Sequence, residues 1–216
     1  MPQFSDDLFL GNAQTYMGVN TFSALGDPAP MDLGVGPLGR IYVWDVVAAT
    51  KVTNNIATAS AYTSSITLTA GTSATLVVNA VNQSVIQLDV PRAVAVTIGT
   101  GTITNRNVTI TGYDWYGQAM SEVIATGTTQ STTVNGKKAF YQIASIAVAG
   151  ATVTAVTVGT TDVLGFPVRV IDGGYIIDPG WAGSLVPDTG TFVAAHMTNP
   201  ATSTTGDVRG TYIPSS

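Results

Sequence analysis

Apolar and polar residues alternate with a period of two through most of the middle of this chain. The pattern recurs in short runs rich in Val, Ile and Thr and bounded by Gly, Asn or Pro: SSITLT, ATLVVNA, SVIQLDV, RAVAVTI and NVTITG. It continues through QAMSEVIAT, KAFYQIASIAVAG and ATVTAVTVG, and no window keeps the 3.6-residue rhythm of an amphipathic helix. The sequence therefore predicts an all-β fold, an antiparallel β-sandwich or barrel of jelly-roll type, with extended N- and C-terminal arms.

Three turns are expected between these strands. The first is GTGT at 99–102, and the second is Asn135-Gly136 in VNGKK, because both residues tolerate the positive φ of a type I′ hairpin turn. The third lies in ITGYDWYGQAMSEVI, where 113–117 predicts a hairpin loop whose turn is capped by Asp114 through backbone N–H groups.

The two ends of the chain differ from its middle. Residues 1–40 contain four prolines and scattered glycines, which predicts an extended N-terminal arm. We expect the β-sandwich at 41–175 and a C-terminal arm at 176–216. Apolar side chains of the arms are candidates for burial on the chain's own domain or on a neighbouring subunit: Phe4, Leu8, Phe9, Leu10, Tyr16, Met17, Phe22, Trp181 and Tyr212.

Residues near the two arms give further local predictions. GRIYVWDVVA at 39–48 predicts a central strand, because both of its faces are apolar. We expect this strand and the C-terminal segment to form a base at one end of the sandwich. FPVRVI and TGTFVAAH predict two short strands, and the closing stretch 198–216 is turn and coil by composition.

Charge and composition exclude several classes of partner and site. With 8 basic and 13 acidic residues the formal charge is -5, so a nucleic acid is not expected as a direct partner. The chain has no cysteine, no apolar run long enough for a transmembrane helix and no basic start of a signal peptide. Only five charged residues fall between 52 and 136, a sparseness that also suits a protein held in an assembly.

Catalytic and metal-binding patterns are also missing. His196 is the only histidine, which argues against a Ser-His-Asp triad and most zinc sites. Asp114 and Glu122 are the candidate carboxylate pair of a glycosidase, but a hairpin loop at 113–117 would separate them by well over about 10 Å. Neither a calcium loop nor a nucleotide motif occurs. The sequence predicts no enzyme, no cofactor and no metal.

The hairpin tip leaves two interpretations open. Trp115 and Tyr116 could stack on a sugar, which makes Asp114, Trp115 and Tyr116 an exposed candidate glycan contact. Alternatively, one ring folds back onto the sheet while Asp114 caps the turn, and turn chemistry favours this second interpretation.

Three strings and the C-terminus resemble a module of tailed-bacteriophage structural proteins. They are RNVTITGYDWYGQAMSEVI, GKKAFYQIASIAV, VTVGTTDVLGFPVRV and the closing TTGDVRGTYIPSS. The closing string is similar to the C-terminus of capsid decoration, or head cement, proteins. The resemblance covers about residues 105–216, and it departs from the usual pattern at Tyr113-Asp114-Trp115-Tyr116 and at Val123.

The resemblance implies a β-sandwich bound to the outside of a phage capsid. The leading hypothesis is thus a non-enzymatic virion protein that decorates and stabilises the capsid by binding the major capsid protein. Residues 1–50 and 166–216 would act by strand addition and apolar burial, and capsid symmetry favours a homo-dimer or homo-trimer. The alternative is a glycan- or host-surface-binding module on the virion, such as a head fibre or tail accessory protein.

Overall fold

The computed structural model of the 216-residue chain describes residues 9–10, 39–40, 43–62, 65–99, 107–129, 131–149, 152–176, 188–196, 198 and 202–215. The chain divides into two compact units, Met1–Val47 and Ala48–Ser216. In the first unit, β1 (Phe9–Leu10) pairs antiparallel with β2 (Gly39–Arg40). Among the described residues, no helix has the length and apolar character needed to cross a bilayer.

Eleven strands of the second unit form one curled, antiparallel sheet, which confirms the predicted all-β fold class. Hydrogen-bonded neighbours follow the order β12-β13-β11-β6-β10-β7-β8, while β3 pairs with β11, β4 with β10, and both β5 and β9 with β6. The strands are β3 (Ala57–Tyr62), β4 (Ser65–Ile66), β5 (Ala74–Val78), β6 (Ser84–Ile98), β7 (Asn107–Tyr113), β8 (Ala119–Ala125), β9 (Thr133–Asn135), β10 (Phe140–Val148), β11 (Thr152–Gly165), β12 (Thr191–Val193) and β13 (Thr211–Ile213).

The strand β6 joins the two parts of the sheet. Its first half pairs with β5 and β10, and its second half pairs with β11 and β9. The sequence predicts two strands here, separated by Pro91, and this is wrong because the strand continues through the proline. The pairing of β6 with both β10 and β11 shifts register beside Arg92. Pro91, which has no N–H to donate, therefore lies at an irregular point of the ladder.

The core lies on the inner face of the sheet and is built from alternate residues of the long strands. Val94 and Val96 of β6, Ile110 of β7 and Phe140 and Ile143 of β10 are completely buried. The period of two in the sequence produces this face, because successive side chains of a strand point to opposite sides.

The predicted type I′ turn at Asn135-Gly136 is wrong. Asn135 ends β9 and pairs with Ala95 of β6, and neither Asn135 nor Gly136 has a positive φ. A side chain at Gly136 would place its Cβ 2.6 Å from Oε2 of Glu122. The glycine is therefore required for space beside a carboxylate and not for a turn. Of the turn predicted at 99–102, only Gly99 lies within the described residues.

The predicted central strand at 39–48 is also wrong. β2 includes Gly39–Arg40 of this stretch, and residues 43–48 form no strand, with Asp45 in an isolated bridge. Val43 is exposed and Val47 is 92% exposed, so this stretch is not buried on both faces.

The C-terminal region belongs to the sheet more fully than the sequence suggests. TGTFVAAH contains β12 as predicted, whereas FPVRVI contains no strand. The segment predicted as turn and coil contains β13, which pairs with β12 on one side and with Leu164 and Gly165 of β11 on the other. The described residues of 188–215 thus lie within the second unit, although the sequence assigns them to an extended arm. The reason is that β11 extends beyond its pairing with β3 and offers a free edge there.

Candidate functional site: a buried ionic cluster that holds the C-terminal segment

The hairpin of β7 and β8 is closed by Asp114, as the sequence predicts. Tyr113 pairs with Ala119, and one carboxylate oxygen of Asp114, Oδ1, accepts the N–H groups of Tyr116 and Gln118, each at 2.8 Å. These two donors lie in the loop outside the strand ladder, so the carboxylate satisfies backbone groups that have no ladder partner.

The second oxygen of Asp114 binds a residue that is distant in sequence. Its Oδ2 atom lies 2.8 Å from Nη1 of Arg209, with side-chain exposures of 6% and 14%. The description of Asp114 as exposed is therefore wrong, because both of its oxygens are used inside the fold. The pair attaches the C-terminal segment to the hairpin.

The two aromatic residues of the tip have different environments. The Trp115 ring lies 4.5 Å from the Tyr141 ring of β10, so one ring does fold back onto the sheet. Tyr116 is 57% exposed, its hydroxyl donates to the carbonyl of Pro167 at 2.8 Å, and the Arg209 guanidinium lies 5.3 Å from its ring centroid. Of the three residues of the predicted tip, Tyr116 is thus the exposed one.

Glu122 is buried on β8 and holds the turn that precedes β10. Its Oε1 accepts the N–H of Lys137 at 2.5 Å and its Oε2 accepts the N–H of Lys138 at 3.2 Å. Burial raises the pKa of Glu122 above its ordinary value, against the opposing effect of the two N–H bonds and of both lysine charges. The carboxylate thus accepts two backbone N–H groups of this turn that lie outside the strand ladder.

Asp207 holds the C-terminal segment from its other side. Its Oδ2 accepts the N–H of Ala139 at 2.9 Å, and its Oδ1 accepts the N–H of Arg209 at 2.8 Å. Burial raises the pKa of Asp207, and hydrogen bonds from Ala139 and Arg209 act in the opposite direction.

Two further contacts complete the attachment of this segment. Lys138 is buried, and its Nζ donates to the carbonyl of Thr202 at 2.5 Å; burial lowers the pKa of this amine, and the charges of Glu122 and Asp207 oppose the shift. The N–H of Val123 donates to the carbonyl of Ser203 at 2.8 Å. Segment 202–210 therefore covers the edge of β8.

A separate ionic group fixes the beginning of the second unit. Arg92 is 1% exposed, and its Nη2 donates to the carbonyl of Ala49 at 2.9 Å. Its Nη1 lies 3.2 Å from Oδ1 of Asp89, and Oδ2 of Asp89 accepts the N–H of Ala49 at 2.7 Å. Both backbone groups of the second residue of this unit are thus held by one ion pair.

These groups make contacts that join separate segments of the fold. The carboxylates accept backbone N–H groups from other segments, and a buried carboxylate with such partners stabilises the contact between those segments. Among the described residues no three acidic, histidine or cysteine side chains come together as a metal site. His196 is exposed, and its Nδ1 accepts the N–H of Thr198 at 3.2 Å.

Most of the predicted arm contacts lie outside the described residues: Phe4, Leu8, Tyr16, Met17, Phe22 and Trp181. Phe9 and Leu10 form β1. Tyr212 lies in β13, and its hydroxyl donates to Oδ2 of Asp188 at 2.7 Å. Burial and this hydrogen bond raise the pKa of Tyr212 to about 12, so the phenol remains a donor at neutral pH.

No family model, curated protein or solved structure matches the chain. Three of the four strings that resemble phage structural proteins contribute side chains to the ionic cluster. They contain all the charged members of the ionic cluster: Asp114, Glu122, Lys138, Asp207 and Arg209.

Removing one member of the Asp114–Arg209 pair should be costly, because the other charge would remain buried. We expect Arg209→Gln to lower the free energy of unfolding by about 3 kcal/mol or more. A double-mutant cycle with Asp114→Asn, which keeps an oxygen for the turn, should give a coupling energy of about 1–3 kcal/mol in urea unfolding.

The matched control is the pair Lys51–Asp162, whose side chains are 63% and 40% exposed. The coupling energy of this pair should stay below about 1 kcal/mol. Equal coupling in both pairs would contradict a structural role for the cluster.

The raised pKa of Glu122 predicts a specific dependence of stability on pH. The folded protein binds a proton at pH values where the unfolded chain has released it, so this contribution to the free energy of unfolding decreases as pH rises from about 4.5 through the raised pKa. Glu122→Gln should remove that decrease, and at neutral pH it should cost about 1–3 kcal/mol, because an amide can accept only one of the two N–H groups.

Urea midpoints of the wild type and the variant between pH 4 and pH 7.5 measure the difference. Asp172→Asn, at an exposed carboxylate that accepts the N–H of Gly174, is measured in parallel as the control for replacing a carboxylate by an amide. A Glu122→Gln profile parallel to that of the wild type would show that Glu122 does not titrate in this range.

Proposed function

We propose that the protein is a non-enzymatic structural component of a tailed-phage particle, a decoration protein that binds major capsid subunits from outside. The observation that carries the proposal is the location of the phage-like strings. Five charged residues of these strings form the cluster that attaches segment 202–210 to the β7–β8 hairpin and to the turn before β10. The residues that carry the resemblance thus include those that attach the C-terminal segment to the rest of the sheet.

The way in which the second unit holds its two ends supports the same proposal. Ala49 is fixed by Arg92 and Asp89 at the start. Near the end, Asp188 accepts hydrogen bonds from the backbone N–H and the hydroxyl of Ser215 as well as from Tyr212. A protein that links neighbouring capsid subunits needs its terminal segments fixed to its folded domain. Otherwise a contact made by such a segment would not hold the domain on the capsid.

Exposed apolar side chains in the C-terminal region supply a surface for this partner. Ile171, Tyr175 and Val193 are all exposed. Gly173, between Ile171 and Tyr175, lies against the ring of Phe192 in β12, so these segments adjoin one another. Exposed apolar side chains on adjoining segments are a feature of protein interfaces.

Binding to capsids tests the proposal directly. Purified phage capsids without a decoration protein would be mixed with the full chain, and the bound fraction measured by co-sedimentation. Deletion of residues 1–47 and, separately, Ile171→Lys with Val193→Lys in the full chain should each weaken binding at least about tenfold, a loss of about 1.4 kcal/mol.

The matched control is Val81→Lys, which adds a charge at an exposed apolar residue of the turn after β5, far along the chain from both regions. Thermal unfolding would verify that each variant is folded; the deletion leaves the unit Ala48–Ser216 complete. Undiminished binding by both variants would refute the proposed contact regions, and no binding by the wild type would refute the function.

A second candidate function, binding of glycans by the displayed sandwich, is favoured by one observation. Tyr116 is exposed while its hydroxyl and one neighbour, Arg209, hold the ring in place. A rigid exposed aromatic ring is a suitable stacking surface for a sugar, because little side-chain freedom is lost on binding.

A glycan array separates this candidate from the first. If Tyr116 stacks on a sugar, Tyr116→Ala should abolish array binding and leave capsid binding unchanged. Tyr175→Ala, at another exposed tyrosine, should retain array binding. Array binding that survives Tyr116→Ala, or no array binding by the wild type, would exclude this tip as the glycan site.

A further inference from the structure

The strand β5 has an open edge. It pairs only with β6 among the described strands, with Ala74 opposite Leu88 and Val78 opposite Ser84. The turn that follows is rigid, because the Asn79 side chain accepts the N–H groups of Val81 and Gln83. The hairpin therefore presents a defined strand edge and not a variable loop.

The backbone groups on the open edge can be identified from the ladder. Asn79 donates its N–H to Gln83, so the hydrogen-bonded pairs alternate from there, and Val77 and Thr75 also bond toward β6. The N–H and C=O groups of Ala74, Leu76 and Val78 consequently point away from β6. Those of Ala74 bond to Gly71, whereas no described residue bonds to the outward groups of Leu76 and Val78.

The side chains of the edge are apolar and uncharged. Leu76 is 52% exposed and Val78 is 64% exposed, and both lie on the same face as the buried Ala74 of the core. Residues 52–88 form the longest stretch of the chain without a charged residue. Two copies, each with a net charge of -5, can approach at this edge without desolvating a charge.

We propose that two copies of the chain associate by antiparallel pairing of β5 with β5 about a two-fold axis at Val77. This register places Leu76 opposite Val78 of the second copy and uses all four outward backbone groups of each copy. It also keeps the apolar face of the two strands continuous, because residues of equal parity stay on one face. The interface is isologous, as a two-fold contact requires.

The pairing is small compared with a stable interface of about 1,200–2,000 Å², so the association of the free protein should be reversible and dependent on concentration. The proposed dimer forms through β5 alone and needs no capsid. Experiments can therefore refute the dimer without refuting capsid binding, and the reverse.

A cysteine-free chain allows a direct test by disulfide cross-linking. In the proposed register Val77 faces Val77 of the second copy at a position that is not hydrogen-bonded, with Cα atoms about 4.5 Å apart, within the range that a disulfide spans. Val77→Cys should therefore give a covalent dimer under mild oxidation, reversed by a reductant. Thr75→Cys, on the same strand and face, is the control; its two copies would be about 13 Å apart and should cross-link several-fold less.

Sedimentation velocity of the wild type over a wide concentration range is the second measurement. We expect a monomer–dimer equilibrium that Leu76→Lys with Val78→Lys shifts to monomer and that Val193→Lys does not. Thermal unfolding of each variant in reductant verifies the fold. A wild type that stays monomeric or forms trimers, a dimer that survives the double substitution, or equal cross-linking of the two cysteine variants would overturn the proposal.

Discussion

Buried carboxylates that accept backbone N–H groups are the interaction on which the second unit depends. Asp114, Glu122 and Asp207 each accept two such groups, and the half-buried Asp89 accepts that of Ala49. The donors belong to loops and segments outside the strand ladder, where a sheet alone cannot satisfy them. A carboxylate has enough lone pairs to bind two donors and still meet a cation, as Asp114 meets Arg209. These side chains therefore join the parts of the chain that the ladder does not join.

The strands that depend on local alternation could be predicted from the sequence, and those that depend on distant partners could not. The β7–β8 hairpin follows from two alternating runs around an Asp-containing turn. Pro91 and Asn135-Gly136 are local turn signals that the tertiary structure overrides. The strand β6 continues through Pro91 because four other strands pair along its length, and Asn135 extends to pair with Ala95. The strand β13 has no alternation signal, since its three residues form a strand only because the edges of β11 and β12 are available.

The ionic cluster has five charged residues, and the sequence predicted the role of only one of them, Asp114. The capping role of Asp114 is a local property of its turn, but its pairing with Arg209 spans 95 positions in sequence. The usable signal is the scarcity of charge. Of the five charged residues between 52 and 136, four lie within the described part of the chain, and each makes an ion pair or accepts buried N–H groups: Asp89, Arg92, Asp114 and Glu122. Where a strand sequence keeps so few charges, a structural role is the natural first interpretation of each one.

The two sides of the sheet formed by β5, β6, β10, β7 and β8 are protected in different ways. At β8 the C-terminal segment covers the edge, with Val123 donating to Ser203 and Lys138 bonding to Thr202. At β5 no described residue covers the edge, and the usual protection by lysine or proline is absent from the strand itself. Because Leu76 and Val78 are already more than half exposed, a charged side chain would fit at either position without strain. An apolar edge at that location costs free energy when it faces water, and this cost is the physical basis of the β5–β5 pairing that we propose.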